Sequence, residues 1–224
     1  MKLAGVETLV RWNHPNLGTL APGFFETALA DPAVAVDVTH RVLDLALQSL
    51  AGWWKEGCRF SASLNVGEYD LRHADFLNML DKALEKYNLP YEALIIEVTE
   101  SAVNAANVSS VLPVLEALRS RGLFVVLDDF GTGTSSLALL RSLPRTAIKI
   151  DQSFVRDMAN DEGDLSIVRA LTGLGHDLGI KVVAEGVEDE EQADLLRELG
   201  VDVFQGFLYG KPVSASEISL RLKD

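Results

Sequence analysis

Seven times along the chain a short apolar run is followed by a stretch of helical period. That alternation constrains the fold more than any other feature. The runs cover residues 6–10, 60–66, 94–98, 124–127, 147–150, 181–184 and 203–207. Helical stretches are expected at 41–50, 75–86, 111–121, 136–141, 164–178 and 190–199. Gly122, Gly179 and Gly200 stand where a helix would end in a left-handed cap. Strands alternating with helices specify βαβ units and a parallel sheet. Repeated right-handed crossovers then leave two architectures, a wide open sheet or a sheet that curls toward a barrel.

The ends of the runs discriminate between them. Every run carries or ends in side chains able to do chemistry: Glu7 with Arg11, Asn65, Glu97 with Glu100, Asp128 with Asp129, Lys149 with Asp151, Glu185 with Glu188, and Gln205. In an open doubly wound sheet, ligand groups concentrate at one switch point. In a (β/α)8 barrel they come from the C-terminal ends of many strands. Contributions from all seven runs favour the barrel, although the count is one strand short. The expected fold is therefore α/β, a TIM-like (β/α)8 barrel that is incomplete, forming one domain over residues 1–224. No linker or low-complexity tract divides it.

Charge narrows the function. Twenty basic residues against thirty-three acidic give a formal net charge of −13, which excludes a sequence-independent grip on a DNA or RNA polymer. An anionic substrate would need a few placed cations or metal ions. No apolar run reaches the ~18 residues of a membrane span. The opening "MKLAGVETLV" makes a poor signal peptide, and the single Cys58 allows no internal disulfide. A cytoplasmic protein that does not insert into membranes is expected.

Residues 127–136 read "LDDFGTGTSS", with two carboxylates side by side at a strand mouth where their charges repel. Carboxylates at strand ends, together with the Asn65 amide oxygen, make a hard oxygen set suited to Mg or Mn. Two such ions ~3.5–4 Å apart can clamp an in-line displacement at phosphorus, and they would offset the repulsion. The glycines allow a tight turn, and Ser135 or Ser136 can cap the next helix. Competing readings are weaker. "DFG" occurs in protein kinases, whose catalytic-loop Asp and strand Lys patterns are missing upstream. "GTGTSS" has Ser136 at the third glycine of a dinucleotide fingerprint. His176–Asp177 has no partner histidines at ligand spacing, so it reads as a helix-surface pair. Trp53 and Trp54 read as helix anchors, and 188–191 as a solvated helix start.

The ordered motifs "GVETLVRW", "SLNV", "IEVTES", "LDDFGTGTSSL", "IKIDQSFV", "VVAEGVE" and "QGFLYGKP" resemble the EAL family of cyclic di-GMP phosphodiesterases, with Thr8 where alanine is usual. The resemblance implies hydrolysis of cyclic di-GMP to linear pGpG with Mg or Mn, Ca being inhibitory. It implies that Glu7, Asn65, Glu97 and Asp128 bind one metal ion, and that Asp128 bridges to a second held also by Asp129. Lys149 would hold the attacking water. Glu185 would position that water, take its proton or ligate the second ion. Arg11 would grip a substrate phosphate, Gln205 would sit beside the water, and Glu100 would brace the loop after Asp129. Family members begin with a helix and a strand of Tyr-Gln-Pro type that this sequence does not show, so an exposed sheet edge is expected. A homodimer is also expected, formed across that edge or through the segment at 131–134 and the helix after Ser136. A sensor or cyclase domain upstream in the full protein is expected too. The alternatives are a cyclic di-GMP receptor that does not cleave and a protein-interaction domain with a vestigial site.

Overall fold

The structure, a computed structural model, describes residues 3–103, 107–131, 140 and 147–222. The chain falls into two compact units. The first comprises Met1–Ile96, Ser120–Leu123 and Ser214–Asp224, and the second Glu97–Arg119 and Phe124–Val213.

The first unit opens with strand β1 (Gly5–Thr8), followed by a small antiparallel hairpin of β2 (Trp12–His14) and β3 (Gly18–Leu20). A single-turn helix α1 (Glu26–Leu29) leads to the long helix α2 (Pro32–Lys55). The start of α2 is written in its sequence. The Asp31 carboxylate accepts the Ala33 and Val34 N–H groups at 2.9 and 3.3 Å, and Pro32 takes the first helical position. One face buries Leu43, Leu47, Leu50 and Ala51 at helical spacing, and the helix packs on strand β4 (Ser61–Val66). The two tryptophans at its end are tied down: Trp53 donates to Ser219 Oγ at 2.7 Å and Trp54 to the Phe60 carbonyl at 2.8 Å. Strand β4 runs parallel to β1, with Gly5 opposite Ser61 and Thr8 opposite Leu64. A Cβ on Gly5 would stand 2.8 Å from the Ser61 carbonyl oxygen, so the close approach of the strands requires glycine. Helices α3 (Glu68–Leu71) and α4 (Phe76–Tyr87) follow. Asp70, on α3, accepts the Gly67 N–H and the Thr39 hydroxyl at 2.9 and 3.1 Å. Burial nonetheless pushes its carboxyl above the ordinary carboxylate range. Strand β5 (Leu94–Thr99) gives its first three residues to this unit and its last three to the second.

The second unit continues through α5 (Val108–Ser120), which enters the first unit at its last residue, to β6 (Phe124–Phe130) and β7 (Ala147–Ile150). Next come α6 (Gln152–Asp157), α7 (Glu162–Asp177), β8 (Val182–Ala184), α8 (Glu190–Glu198) and the two-residue β9 (Val203–Phe204). Strands β6, β7, β8 and β9 pair in that order, all parallel. All four residues of β7 are buried, as a parallel strand covered on both faces requires. The last helix, α9 (Ala215–Arg221), belongs to the first unit.

All seven expected apolar runs form strands, and Gly122, Gly179 and Gly200 all have the left-handed φ of a cap, at 93°, 68° and 82°. The differences are local. Strand β6 runs on past the expected end at Leu127 to Phe130, β9 is shorter than 203–207, and α2 starts at Pro32 rather than Arg41. The β2–β3 hairpin was not foreseen, because three residues per strand are too few to display alternation. Helices α1, α3, α6 and α9 were also not foreseen. The helix expected at 136–141 lies outside the described residues.

Two glycines of α7 test the packing of this helix on β8. A Cβ on Gly175 would stand 2.4 Å from Val182 Cγ2, whereas one on Gly173 meets nothing within 4 Å among the described residues. Gly175→Ala should therefore lower stability by about 1–3 kcal/mol through overpacking. Gly173→Ala should raise it by about 0.5–1 kcal/mol through helix propensity. Denaturant melts of the two variants should move in opposite directions.

Candidate active site

In a regular strand, consecutive side chains point to opposite faces, so Asp128 and Asp129 could not serve one site. The backbone resolves this. The register between β6 and β7 shifts between Leu127 and Phe130, and Asp129 has φ 55°. This bulge turns the chain at Asp129, and Asp128 Oδ1 accepts the Asp129 N–H at 3.0 Å. Aspartate is among the few residues that tolerate left-handed φ. One carboxylate oxygen from each of Asp128, Asp129 and Glu185 consequently lies within 4.8 Å of the others. Beyond the bulge, Glu100 accepts the Gly131 N–H at 3.3 Å. Gly131 has φ +102°, and a Cβ there would stand 3.1 Å from the Phe154 ring.

Lys149 lies at the centre of this cluster. It is 1% exposed on the otherwise apolar β7. Its ammonium stands 3.1 Å from Glu97 Oε2 at the end of β5 and 3.2 Å from Asp128 Oδ1, and it contacts Glu185 Oε1. Glu97 and Asp128 are themselves buried. Among the described residues, three carboxylates (Glu97, Asp128, Glu185) thus meet one ammonium, and Asp129 lies beside two of them. Lys149 alone cannot balance them. An all-oxygen, net-negative donor set of this kind fits a hard divalent cation such as Mg or Mn.

Glu185 leads the loop after β8, and its N–H donates to the Ile150 carbonyl at 3.2 Å. Gln205, just after β9, donates its N–H to the Ala184 carbonyl at 2.9 Å and accepts the Val187 N–H at 3.0 Å. In the first unit, Asn65 Nδ2 donates to Glu7 Oε1 at 2.9 Å, across the C-terminal ends of β1 and β4. Arg11 is exposed, with its guanidinium on the Val10 carbonyl at 2.8 Å. Within the second unit the sequence-predicted residues Glu97, Asp128, Asp129, Lys149 and Glu185 form one cluster, with Glu100 bonded to the turn at Gly131, and within the first unit Glu7 pairs with Asn65. His176 stands 3.3 Å from Asp202 Oδ2 rather than in any metal-ligating group among the described residues. One buried polar residue escaped sequence reasoning. Gln192 is 5% exposed and caps the loop that carries Glu185. The D-x-x-Q pattern at Asp189–Gln192 is the capping-box signal that could have found it.

Comparison with known proteins places this arrangement among relatives. The model of the EAL domain matches residues 1–212. The chain is 38% identical over 218 residues to the bifunctional diguanylate cyclase/cyclic di-GMP phosphodiesterase MucR of Pseudomonas aeruginosa, covering 96% of this chain and 32% of that protein. It is 36% identical over 217 residues to the cyclic di-GMP phosphodiesterase PA2567 of the same organism, covering 97% and 37% respectively. It thus spans about a third of the length of these curated relatives. The solved structure of the PaMucR phosphodiesterase in complex with c-di-GMP superposes with a TM-score of 0.90 at 38% identity, covering 97% of this chain and 88% of that one. The α/β, TIM-like fold is shared with it. No helix among the described residues is long and apolar enough to cross a membrane.

Two variants probe the cluster. Lys149→Met leaves buried carboxylates without their cation and should cost about 3–5 kcal/mol in metal-free buffer. Added Mn should raise its Tm by more than it raises that of the unmodified protein, as differential scanning calorimetry would show. Asp129→Asn keeps a residue that tolerates left-handed φ, so its Tm should stay within a few degrees while Mn affinity falls about tenfold by calorimetric titration.

Proposed function

Because the chain belongs to the EAL domain family, we propose that it is a metal-dependent phosphodiesterase that hydrolyses cyclic di-GMP to linear pGpG. The observation that carries this reading is the excess of carboxylates round the buried Lys149 ammonium. Carboxylates brought together in this way suit divalent cations that assist hydrolysis at phosphorus. Glu97 and Asp128 would hold one ion in the second unit, and Asp128 with Asp129 would hold a second. Glu7 and Asn65 are proposed as ligands on the strength of the resemblance. Mg or Mn bound there would supply Lewis acidity at the phosphodiester and at water.

The remaining chemistry belongs to the chain. The Lys149 ammonium holds the attacking water and favours its deprotonated form. Glu185, in contact with Lys149, orients the water and takes its proton. The water oxygen bonds to phosphorus, the bond from phosphorus to the ribose 3′-oxygen breaks, and that oxygen is reprotonated from solvent. One such opening of the ring leaves pGpG. Arg11 grips a substrate phosphate and Gln205 lies beside the water in the same proposal, while Glu100 keeps the Gly131 turn in place. Residues 1–224 act as one EAL-type domain in the proposal, in the cytoplasm and as a homodimer. They do so within a protein that carries a sensor or cyclase domain ahead of them, in line with the bifunctional relative of which the chain spans 32%.

The purified chain with Mg or Mn should convert cyclic di-GMP to pGpG, read by chromatography. Ca should support calorimetric binding without product, and chelator should abolish turnover. Full activity in chelator would overturn the metal-dependent mechanism, and binding with no product in Mn would replace the enzyme reading with the receptor. Glu185→Gln and Lys149→Ala should each lower the rate by about 10²-fold, with cyclic di-GMP binding in Ca largely retained. A variant that turns over at the unmodified rate would remove its residue from the mechanism.

A further inference from the structure

The loop that carries Glu185 is bonded at almost every residue. Its first N–H goes to the Ile150 carbonyl at 3.2 Å. Gly186, with φ +69°, lies so close to Gln152 that a Cβ there would stand 2.5 Å from that residue's Cβ. The Val187 N–H donates to the Gln205 carbonyl and the Val187 carbonyl accepts the Leu208 N–H, both at 3.0 Å. A Cβ on Gly206 would fall 2.1 Å from the Val187 oxygen, so this approach also needs glycine. The far end of the loop is held by one side chain, Gln192 on α8. Its Oε1 accepts the Glu188 and Asp189 N–H groups at 2.7 and 3.4 Å, and its Nε2 donates to the Arg156 carbonyl at 3.1 Å.

Arg156 is in the last turn of α6, the helix that Asp151 caps directly after Lys149 and Ile150. Lys149, α6, Gln192 and the loop back to Glu185 therefore form a closed ring. It is completed by the contact of Lys149 with Glu185. We infer that Gln192 is a positioning residue, whose amide fixes Glu185 against Lys149 by tying the loop after β8 to the helix after β7. It touches neither substrate nor metal in this role. Both arms of the amide are needed. The oxygen arm gathers the loop's N–H groups and the nitrogen arm reaches the neighbouring helix, so no residue lacking both a donor and an acceptor can replace it. The inference rests on the proposed phosphodiesterase reading for its kinetic meaning, but not for its structural one.

The test compares Gln192→Ala and Gln192→Glu with Asp31→Ala, which removes the cap of α2 and lowers stability without touching the loop. Gln192→Ala should lower kcat for cyclic di-GMP by about tenfold or more with KM changed less than about twofold, as expected when reacting groups are misplaced but substrate is still held. Gln192→Glu keeps the oxygen arm and should fall between. Asp31→Ala should leave kcat unchanged at a similar loss of Tm. Hydrogen exchange by mass spectrometry should show faster exchange in Gln192→Ala at residues 187–189 and also at 150–157, across the ring. If the unmodified protein does not cleave cyclic di-GMP, the enzyme reading fails, and the exchange data alone decide the coupling. Exchange confined to 187–189, or kcat unchanged in an active protein, would overturn the inference.

Discussion

A lysine ammonium buried in the middle of a parallel strand is the constraint on which the second unit depends. Lys149 is 1% exposed between Ile148 and Ile150. An unpaired ammonium there would cost several kilocalories per mole in desolvation. It is tolerated because β5, β6 and the loop after β8 each bring a carboxylate to it. Losing all of those contacts would leave the ammonium stranded out of water. The pairing thus locks the positions of neighbouring strand ends as firmly as the apolar side chains between them do.

The same arrangement is overbalanced. Lys149 needs one counter-charge, yet three carboxylates contact it and Asp129 stands beside two of them. Stability alone does not account for the excess, since like charges at these distances raise the energy of the folded state. The bulge at Asp129 sharpens the point. A non-glycine residue is held at φ 55° to bring a second aspartate onto the face already occupied by the first. Backbone strain of order 1–3 kcal/mol at such a position is characteristic of functional sites. Divalent cations would offset the repulsion, as the proposed function requires.

Around this centre the fold supplies rigidity through backbone contacts rather than through long side chains. Glycines 186 and 206 allow approaches that a Cβ would block, Gly131 holds a left-handed φ of +102°, and each lies in a loop at the strand ends. Gln192 adds a side-chain tie between the helices that follow β7 and β8. Burial, not exposure, characterises the supporting residues: Glu100, Gln192 and Glu97 are each 5% exposed.

Much of this was legible in the linear order of residues. Apolar runs of strand length separated by helical periods located seven of the nine described strands, because hydrophobic periodicity is a local property set by which face must leave water. Glycines at helix ends were read correctly because only the left-handed conformation needs them there. The candidate residues were visible because polar groups at the ends of apolar strands have no structural reason to recur seven times. What the sequence could not determine was direction in space. "LDDF" reads as a strand whose aspartates diverge, and only the register shift against β7 turns both to one side. "AIKI" reads as a strand with one awkward charge, and only its three neighbours make that charge the centre of the site. Gln192 reads as a cap on its own helix, and only tertiary packing gives its amide nitrogen a partner 36 residues away at Arg156. Periodicity and capping are encoded within a few residues of one another, whereas the charge balance of a site depends on groups that meet only after the strands have paired.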